Sequence, residues 1–306
     1  MFIYTYASHE DEAGLCSLEL CTLLGQPAHG GIVASRLEIP AGRSPFVKRR
    51  IAVSNEADSL EELAEQLVSL ELSGRSFKVL FTPGDEPFSF EEQRQCERIA
   101  GAAIRGKADM RNAERLFGLT KLGGRWRFGP CEENGAVWLK HQDKPQNYST
   151  ALPTRAARAI VNLAAGPVLS GKRLIDPCCG MGTSLIEALS MGISIVGIDI
   201  NPLAVRGARN NLAHFGYSAD TVRLGDLRQA EGHYDAAVVD MPYNLCSVLP
   251  EAEQLELLAA VRRLADKAVI VTTERIPGLL ERANWRIAED AKVSKGSFTR
   301  YITVVK

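Results

Sequence analysis

No stretch of this sequence stays apolar for the roughly 20 residues that a bilayer span requires, which sets aside a membrane-embedded reading. Residues 1–6 are too short for a secretory leader and are soon followed by His9-Glu10-Asp11-Glu12. Histidine is scarce: there are five, none at ligand distance from paired cysteines, which removes a zinc site and leaves no metal expected. The seven cysteines are an odd number with no C-x-x-C pair. That argues against a disulfide framework and for reduced thiols, so a cytoplasmic protein is expected. Net charge is also missing as a signal: 36 basic residues face 37 acidic ones. Any nucleic-acid partner must therefore be argued from local clusters. Internal repeats and low-complexity tracts are absent.

What is present is patterned. A length of 306 residues predicts two domains, and the polar segment His141-Gln142-Asp143-Lys144-Pro145-Gln146-Asn147 marks the boundary, giving regions 1–142 and 143–306. The first region reads as mixed α+β. Strands are expected at 2–6, 31–35, 77–81, 116–119 and 125–128, with helices at about 10–24, 59–72 and 89–104; Gly123-Gly124 suits a hairpin turn. The second alternates more clearly. Apolar runs at 172–175, 193–198, 221–224, 235–239 and 267–272 are separated by helical segments starting near 183, 202 and 251. That pattern predicts a doubly wound α/β sheet, finished by a hairpin of strands near 284–289 and 299–305.

The segment Asp176-Pro177-Cys178-Cys179-Gly180-Met181-Gly182-Thr183 lies between a strand and a helix, where glycine lets the backbone approach a ligand. Ser184 and Glu187 have the spacing of a capping box for that helix. Asp199 ends the next strand 23 residues after Asp176, a placement suited to ribose hydroxyls, and Asp226 ends the third, where it can accept an adenine amino group. The turn carries no basic residue and no G-K-[ST], which disfavours phosphates and favours S-adenosyl-L-methionine, whose cationic groups suit nearby carboxylates. The adjacent Cys178 and Cys179 read as packed small residues, not as a redox pair.

Asp240-Met241-Pro242-Tyr243 follows the apolar run 236–239 at the end of the fourth strand. An exocyclic amine is a poor nucleophile because its lone pair is delocalised into the ring. A carboxylate at Asp240 and a carbonyl beside Pro242 can accept its N–H groups as the nitrogen pyramidalises. Tyr243 can stack on a base, worth about 1–3 kcal/mol. Alone, Asp-x-Pro-Tyr is an ordinary turn; behind a donor site it becomes a candidate amine-methylation motif.

At these residues the chain resembles the class I methyltransferases with a D/N-P-P-Y/F/W motif, and more closely the THUMP-associated tRNA guanine-N2 methyltransferases. Residues 176–183 look like their D-P-x-C-G-x-G-T donor loop, and Gly197-Ile198-Asp199-Ile200-Asn201 like their ribose-binding motif. Tyr148-Ser149-Thr150-Ala151-Leu152-Pro153-Thr154-Arg155 is similar to the segment that closes over the donor. The resemblance implies a seven-stranded Rossmann-like sheet with an N-terminal THUMP-like region. It implies donor contacts from Pro153, Thr154, Asp176, Cys178, Gly180, Gly182, Thr183, Asp199, Ile200, Asp226, Leu227 and Asp240, and catalysis by Asp240, Pro242 and Tyr243. Met241 stands where the family usually has its first proline.

The segment 105–114 resembles the end of a THUMP module, and charge agrees. Between 94 and 127 nine basic residues stand against three acids. Arg105, Lys107 and Arg111 lie in this run, and Lys48-Arg49-Arg50 forms a second cluster. Together they predict an RNA partner, tRNA by resemblance, with no obligate protein partner indicated. Adenine N6 amines and protein glutamine amides share the same acid–proline–aromatic turn, and a non-catalytic RNA-binding protein with Met241 as the lesion is the reading from another class.

Overall fold

The computed structural model describes residues 1–148, 151–242, 249–295 and 298–306, which divide into two compact units. The first comprises Met1–Ala7, Leu24–Gly42 and Phe46–Gly135; the second comprises Ser8–Leu23, Arg43–Pro45 and Ala136–Lys306.

The first unit begins with β1 (Phe2–Tyr6), after which the chain forms α1 (Ala13–Leu24), which belongs to the second unit but for its last residue. Then come β2 (Ile32–Ser35), β3 (Val47–Ala52), β4 (Asn55–Ala57), α2 (Leu60–Leu67), β5 (Glu71–Phe81), α3 (Phe90–Ala103), β6 (Arg105–Ala108), β7 (Arg115–Leu122) and β8 (Arg125–Glu133). The sheet runs β2-β1-β3-β8-β7-β5-β6, with β4 paired to β8. Gly123 and Gly124, at φ +61° and +72°, make the two-residue turn between β7 and β8, as the sequence predicts. Leu63 and Leu67 of α2 and Ala100 of α3 join Phe77, Phe117, Leu119 and Phe128 in one buried core. β3 was not anticipated, because Lys48, Arg49 and Arg50 break the apolar alternation; its anchors are Val47 and Ile51.

The second unit holds a seven-stranded sheet made of β9 (Arg173–Asp176), β10 (Ser194–Asp199), β11 (Val222–Leu224), β12 (Ala236–Asp240), β13 (Ala268–Thr272), β14 (Ile287–Lys295) and β15 (Phe298–Val305). Their order is β11-β10-β9-β12-β13-β15-β14, the first five parallel and the last two an antiparallel hairpin. This is the Rossmann-like sheet expected from the alternation. Its helices are α4 (Thr154–Ala165), α5 (Thr183–Ser190), α6 (Pro202–His214), α7 (Glu251–Leu264) and α8 (Pro277–Arg282). Ala237 and Val239 of β12 share a core with Leu258, Val261 and Leu264 of α7 and with Trp285. The chain steps from β9 outward through β10 to β11 and then returns to β12 on the other side of β9, so the crevice of an open α/β sheet lies at the carboxyl ends of β9 and β12. Among the described residues no helix is long and apolar enough to cross a membrane.

α4 was not anticipated either. Its polar stripe of Arg155, Arg158 and Asn162 has helical spacing, but all its residues except Arg155 are buried, so the stripe faces other protein groups and not solvent. A polar network fixes it to the earlier segments of the same unit. The Asn162 amide donates to Glu19 Oε1 at 2.5 Å and to the Arg43 carbonyl at 3.0 Å, and its oxygen accepts from Arg43 Nε at 2.5 Å. Arg158 donates to the Arg43 carbonyl at 3.0 Å and to Glu187 Oε2 at 2.8 Å, and Glu187 Oε1 lies 2.6 Å from His141 Nδ1. Residues 8–23 and 43–45, placed in the N-terminal region by sequence, are thus tied to the sheet-bearing unit by buried polar side chains with no hydrophobic signature. The capping box expected at Ser184 and Glu187 does not form. Gly182 takes the N-cap position of α5, the Ser184 hydroxyl turns to Asp176, and Glu187 is buried against Arg158 and His141.

Candidate active site

Four strand ends converge on the crevice. Asp176 closes β9, Asp199 closes β10, Asp226 follows β11 and Asp240 closes β12. The loop after Asp176 is held by its own backbone. Cys179 N–H donates to the Ile198 carbonyl at 3.0 Å, and Gly180 N–H donates to Asp199 Oδ2 at 2.8 Å. Gly180 adopts φ +53°, so its place in the loop suits a residue without a Cβ. Gly182, at φ +77°, faces α6 instead: a Cβ there would lie 3.3 Å from that of Ala208.

Two cavities flank this loop. One, of about 160 Å³, is lined by Ala151, Leu152, Asp176, Gly180, Thr183 and Asp240, with Met241 and Pro242 at its edge. The other, of about 330 Å³, is lined by Asp199, Ile200, Asp226, Leu227, Leu249 and Leu257. Cys178, Asp240 and Pro242 belong to both. The larger offers apolar side chains for a flat ring and a carboxylate at the strand end for hydroxyls; the smaller offers the buried Asp176 and the half-buried Asp240, one oxygen of which is buried.

Those carboxylates are the electrostatic centre. Burial pushes Asp176 up to about 7, with the charges of Asp240 and Asp199 adding to it and the Ser184 hydroxyl and Cys178 N–H opposing it. Burial likewise pushes Asp240 up to about 7, against the pull of the Arg300 guanidinium. Asp240 Oδ1 is buried without a hydrogen-bond partner among the described residues. An acceptor left unmatched in a cavity is costly unless something donates to it. A cation or an amine N–H relieves that cost and an anionic phosphate raises it. Burial also holds the Cys178 and Cys179 thiols well above their ordinary range, so neither is a thiolate nucleophile, in line with their reading as packed residues.

The structure sorts the remaining candidates. Asp226 lines the larger cavity, but its carboxylate is gripped by Arg228 through Nε at 3.0 Å and Nη2 at 2.7 Å. An adenine amino group would have to share it. Pro153 and Thr154 line neither of these cavities; they face an adjoining cleft of about 660 Å³ that shares Tyr148, Ala151 and Leu152 with the smaller one. Tyr243 falls outside the described residues. In the first unit, Arg49 pairs with Glu133 at 3.0 Å, and Arg50 with Glu38 and Glu132, each at 2.9 Å, which neutralises most of the 48–50 cluster. Arg105 and Lys107 lie exposed on the edge strand β6. Sequence reasoning missed Ser184 and Arg228, whose roles come from pairing with named acids and leave no motif. No group of metal-ligating side chains occurs among the described residues.

If Asp199 holds both the ligand and the loop, Asp199→Ala weakens donor binding about 10- to 100-fold by calorimetry, because one carboxylate oxygen also fixes Gly180 N–H. Unchanged affinity would remove Asp199 from the site.

Residues 142–276 match the family described as UPF0020, RMKL-like, methyltransferase domain. A tRNA (guanine(10)-N2)-dimethyltransferase of Methanothermobacter thermautotrophicus is 29% identical over 230 residues, covering 68% of this chain and 66% of the relative. Another so named, from Pyrococcus abyssi, is 35% identical over 116 residues, covering 36% and 34%. The match thus spans just under two thirds of the first relative and about a third of the second. Among solved structures, TrmN from Thermus thermophilus shares the fold, with a TM-score of 0.50 at 19% identity over 100% of this chain and 99% of that one.

Proposed function

We propose that this chain, whose residues 142–276 match the RMKL-like methyltransferase domain family, transfers a methyl group from S-adenosyl-L-methionine to the exocyclic N2 amine of a guanosine in tRNA. The observation that carries this reading is the unpartnered oxygen of Asp240, at the end of β12 in a cavity shared with Asp176. A buried acceptor of that kind is what an electron-poor amine needs at the moment its nitrogen pyramidalises. In this reading, Asp199 and Ile200 hold the ribose side of the donor, and Leu227 packs against its adenine. Asp176 and the loop from Cys178 to Thr183 take its amino-acid end. The bound donor supplies an electrophilic methyl group on a sulfonium.

The protein's part is positioning and charge. Asp240 and a carbonyl beside Pro242 accept the two amine N–H groups and aim the lone pair, and Asp240 stabilises the positive charge that grows on nitrogen. Tyr243 stacks on the base, which must leave any stack or pair to reach the cavity. Pro153 and Thr154 line the side from which the acceptor enters. The relatives named as guanine-N2 enzymes support guanine over adenine or glutamine amide.

The N-terminal region, in this reading a THUMP-like RNA-binding module, supplies RNA affinity from the edge at Arg105 and Lys107 with Arg111 beside it; Lys48 and Arg49 contribute less, Arg49 being paired. The enzyme would work in the cytoplasm, where its substrate is found. Replacing Arg105 and Lys107 by alanine weakens tRNA binding and lowers the slope of log affinity against log salt by about two, measured by filter binding between low and physiological salt. An unchanged slope would take this edge out of the RNA interface.

The deciding experiment is methyl transfer from radiolabelled S-adenosyl-L-methionine to total tRNA and rRNA, followed by digestion and mass identification of the nucleosides. Label in N2-methylguanosine from tRNA is the expected result. Label in N6-methyladenosine, or in protein glutamine alone, would overturn the guanine assignment.

A further inference from the structure

We propose that Arg300 is a positioning residue for methyl transfer: from β15 it leans over β13 and sets a guanidinium on the Asp240 side of the sheet, where it acts on the reaction through that carboxyl group. The inference rests on the function proposed above and adds to it a residue outside every motif of the site.

Sheet register places the two side chains together. Asp240 on β12 is paired with Val271 on β13, and Val271 with Ile302 on β15, so Asp240 and Ile302 share a row and a face. Side chains alternate along a strand with period two, which puts Arg300 on the face of Ile302 and therefore of Asp240. β15 runs antiparallel to β13, with Tyr301 opposite Thr272. Arg300 thus lies one row beyond the carboxyl end of β13, at the rim where the cavity opens. Two strand spacings, roughly 10 Å, separate the rows of β12 and β15. Only a long side chain from β15 reaches across, and arginine is one.

The guanidinium is fixed at that rim. Arg300 is 8% exposed, and its Nη2 donates to the Ala151 carbonyl at 3.4 Å. Ala151 and Asp240 line the same cavity. The guanidinium also lies 4.6 Å from the centre of the Phe298 ring, whose π-face favours a cation. Among the described residues that line the two cavities of Asp240, the one other cation, Arg228, is engaged with Asp226, and the remaining titratable groups bring no positive charge. Asp176 on β9 and Asp199 on β10 are acids in the same crevice, and the Cys178 thiol is kept protonated beside them. Among the described residues Arg300 is the cation that draws the Asp240 carboxyl down against burial. Guanidinium suits this task better than ammonium, because it stays charged when buried and spreads its charge over a rigid fork.

The chemical consequence follows from the balance of the step. The methyl carbon leaves the sulfonium sulfur, which keeps the bonding electron pair, and bonds to the amine nitrogen, which becomes cationic and then loses a proton. A carboxylate at Asp240 stabilises that cation and can take the proton; a protonated Asp240 can do neither. Without Arg300, the acid remains protonated to a higher pH.

The test compares Arg300→Met and Arg300→Lys with wild type in two measurements. In the first, the pH profile of kcat/KM for the donor at saturating tRNA, which reports the donor-free site, has its acid limb displaced upward by about one unit in Arg300→Met. From a starting value of about 7, the rate at pH 7 then falls about fivefold and recovers by pH 9, while Arg300→Lys moves the limb less. A loss of activity equal at all pH values would show a structural strut and overturn the inference. The second needs no acceptor. Donor binding at pH 8 is measured calorimetrically in buffers of different ionisation enthalpy. Arg300→Met releases about half a proton more than wild type, because its Asp240 is still partly protonated before the cationic donor arrives. Donor binding with the same proton count in both proteins overturns the inference alone. Failure of wild type to bind S-adenosyl-L-methionine at all overturns the proposed function and the inference with it.

Discussion

Asp240→Ala is expected to reduce methyl transfer by a factor of about 10² to 10³, the scale on which a preorganised charge at a reacting centre is lost. Donor affinity should fall less than tenfold, since Asp176, Asp199 and the loop hydrogen bonds remain. The same substitution should make the protein more stable at pH 8. Burial raises the Asp240 carboxyl to about 7, above the value near 3.9 of a free aspartate. An acid raised in the folded state costs nothing below about pH 4, where both folded and unfolded chains carry the proton. The cost grows as pH rises and is complete above about 7. Removing the carboxyl therefore gains about 1–3 kcal/mol at pH 8, a gain that fades toward pH 4. Thermal melting at the two pH values, set beside kcat and donor affinity, checks both halves. A variant less stable at pH 8 and still active would place Asp240 among ordinary core polar groups. A site residue that lowers stability is one sign that its position is kept for chemistry.

Much of the second unit was legible because its sheet is buried on both faces. Runs such as 236–239 stay apolar throughout, and each of the five parallel strands begins and ends within a residue or so of the run that announced it, whereas β14, expected near 284–289, runs from Ile287 to Lys295. Strand ends were legible for the same reason. An acid directly after an apolar run marks the strand end, and Asp176, Asp199 and Asp240 all stand at the crevice, Asp176 still buried. The elements that escaped notice carry polar residues that the fold buries or pairs. α4 is buried all round, and β3 carries three consecutive basic residues, two of which are matched by acids distant in sequence. Arg228 beside Asp226 and Ser184 beside Asp176 are only two and eight residues apart, yet no side-chain periodicity marks such contacts, and packing turned the apparent capping box at Ser184 and Glu187 into two unrelated contacts. Pairings across sequence are settled by tertiary packing, which periodicity cannot report.

Glu187 shows how much such a hidden contact can weigh. Its side chain is fully buried, with Arg158 at 2.8 Å on one oxygen and His141 at 2.6 Å on the other, and Arg158 is itself only 5% exposed. Glu187→Ala leaves the Arg158 guanidinium in the interior without its carboxylate, a loss of about 3–5 kcal/mol. The effect should spread beyond the pair. Arg158 also donates to the Arg43 carbonyl, which Asn162 shares, and Asn162 holds Glu19 on α1. Burial already pushes Glu19 up to about 7 and Arg43 down to about 10, so this chain of groups has little reserve once one charge is removed. Urea unfolding of the variant should show the lost stability. Hydrogen exchange should show early opening of α1 together with α4 and α5, with no comparable change in α2 or α3 of the first unit. Replacing Glu187 and Arg158 together, by Leu and Met, should recover part of the loss, since an apolar pair leaves no charge unmatched. A single variant as stable as wild type would mean that Arg158 finds another acceptor within the network. Opening confined to α5 would mean that the network is a set of independent bonds and that α1 is held to this unit by apolar packing alone.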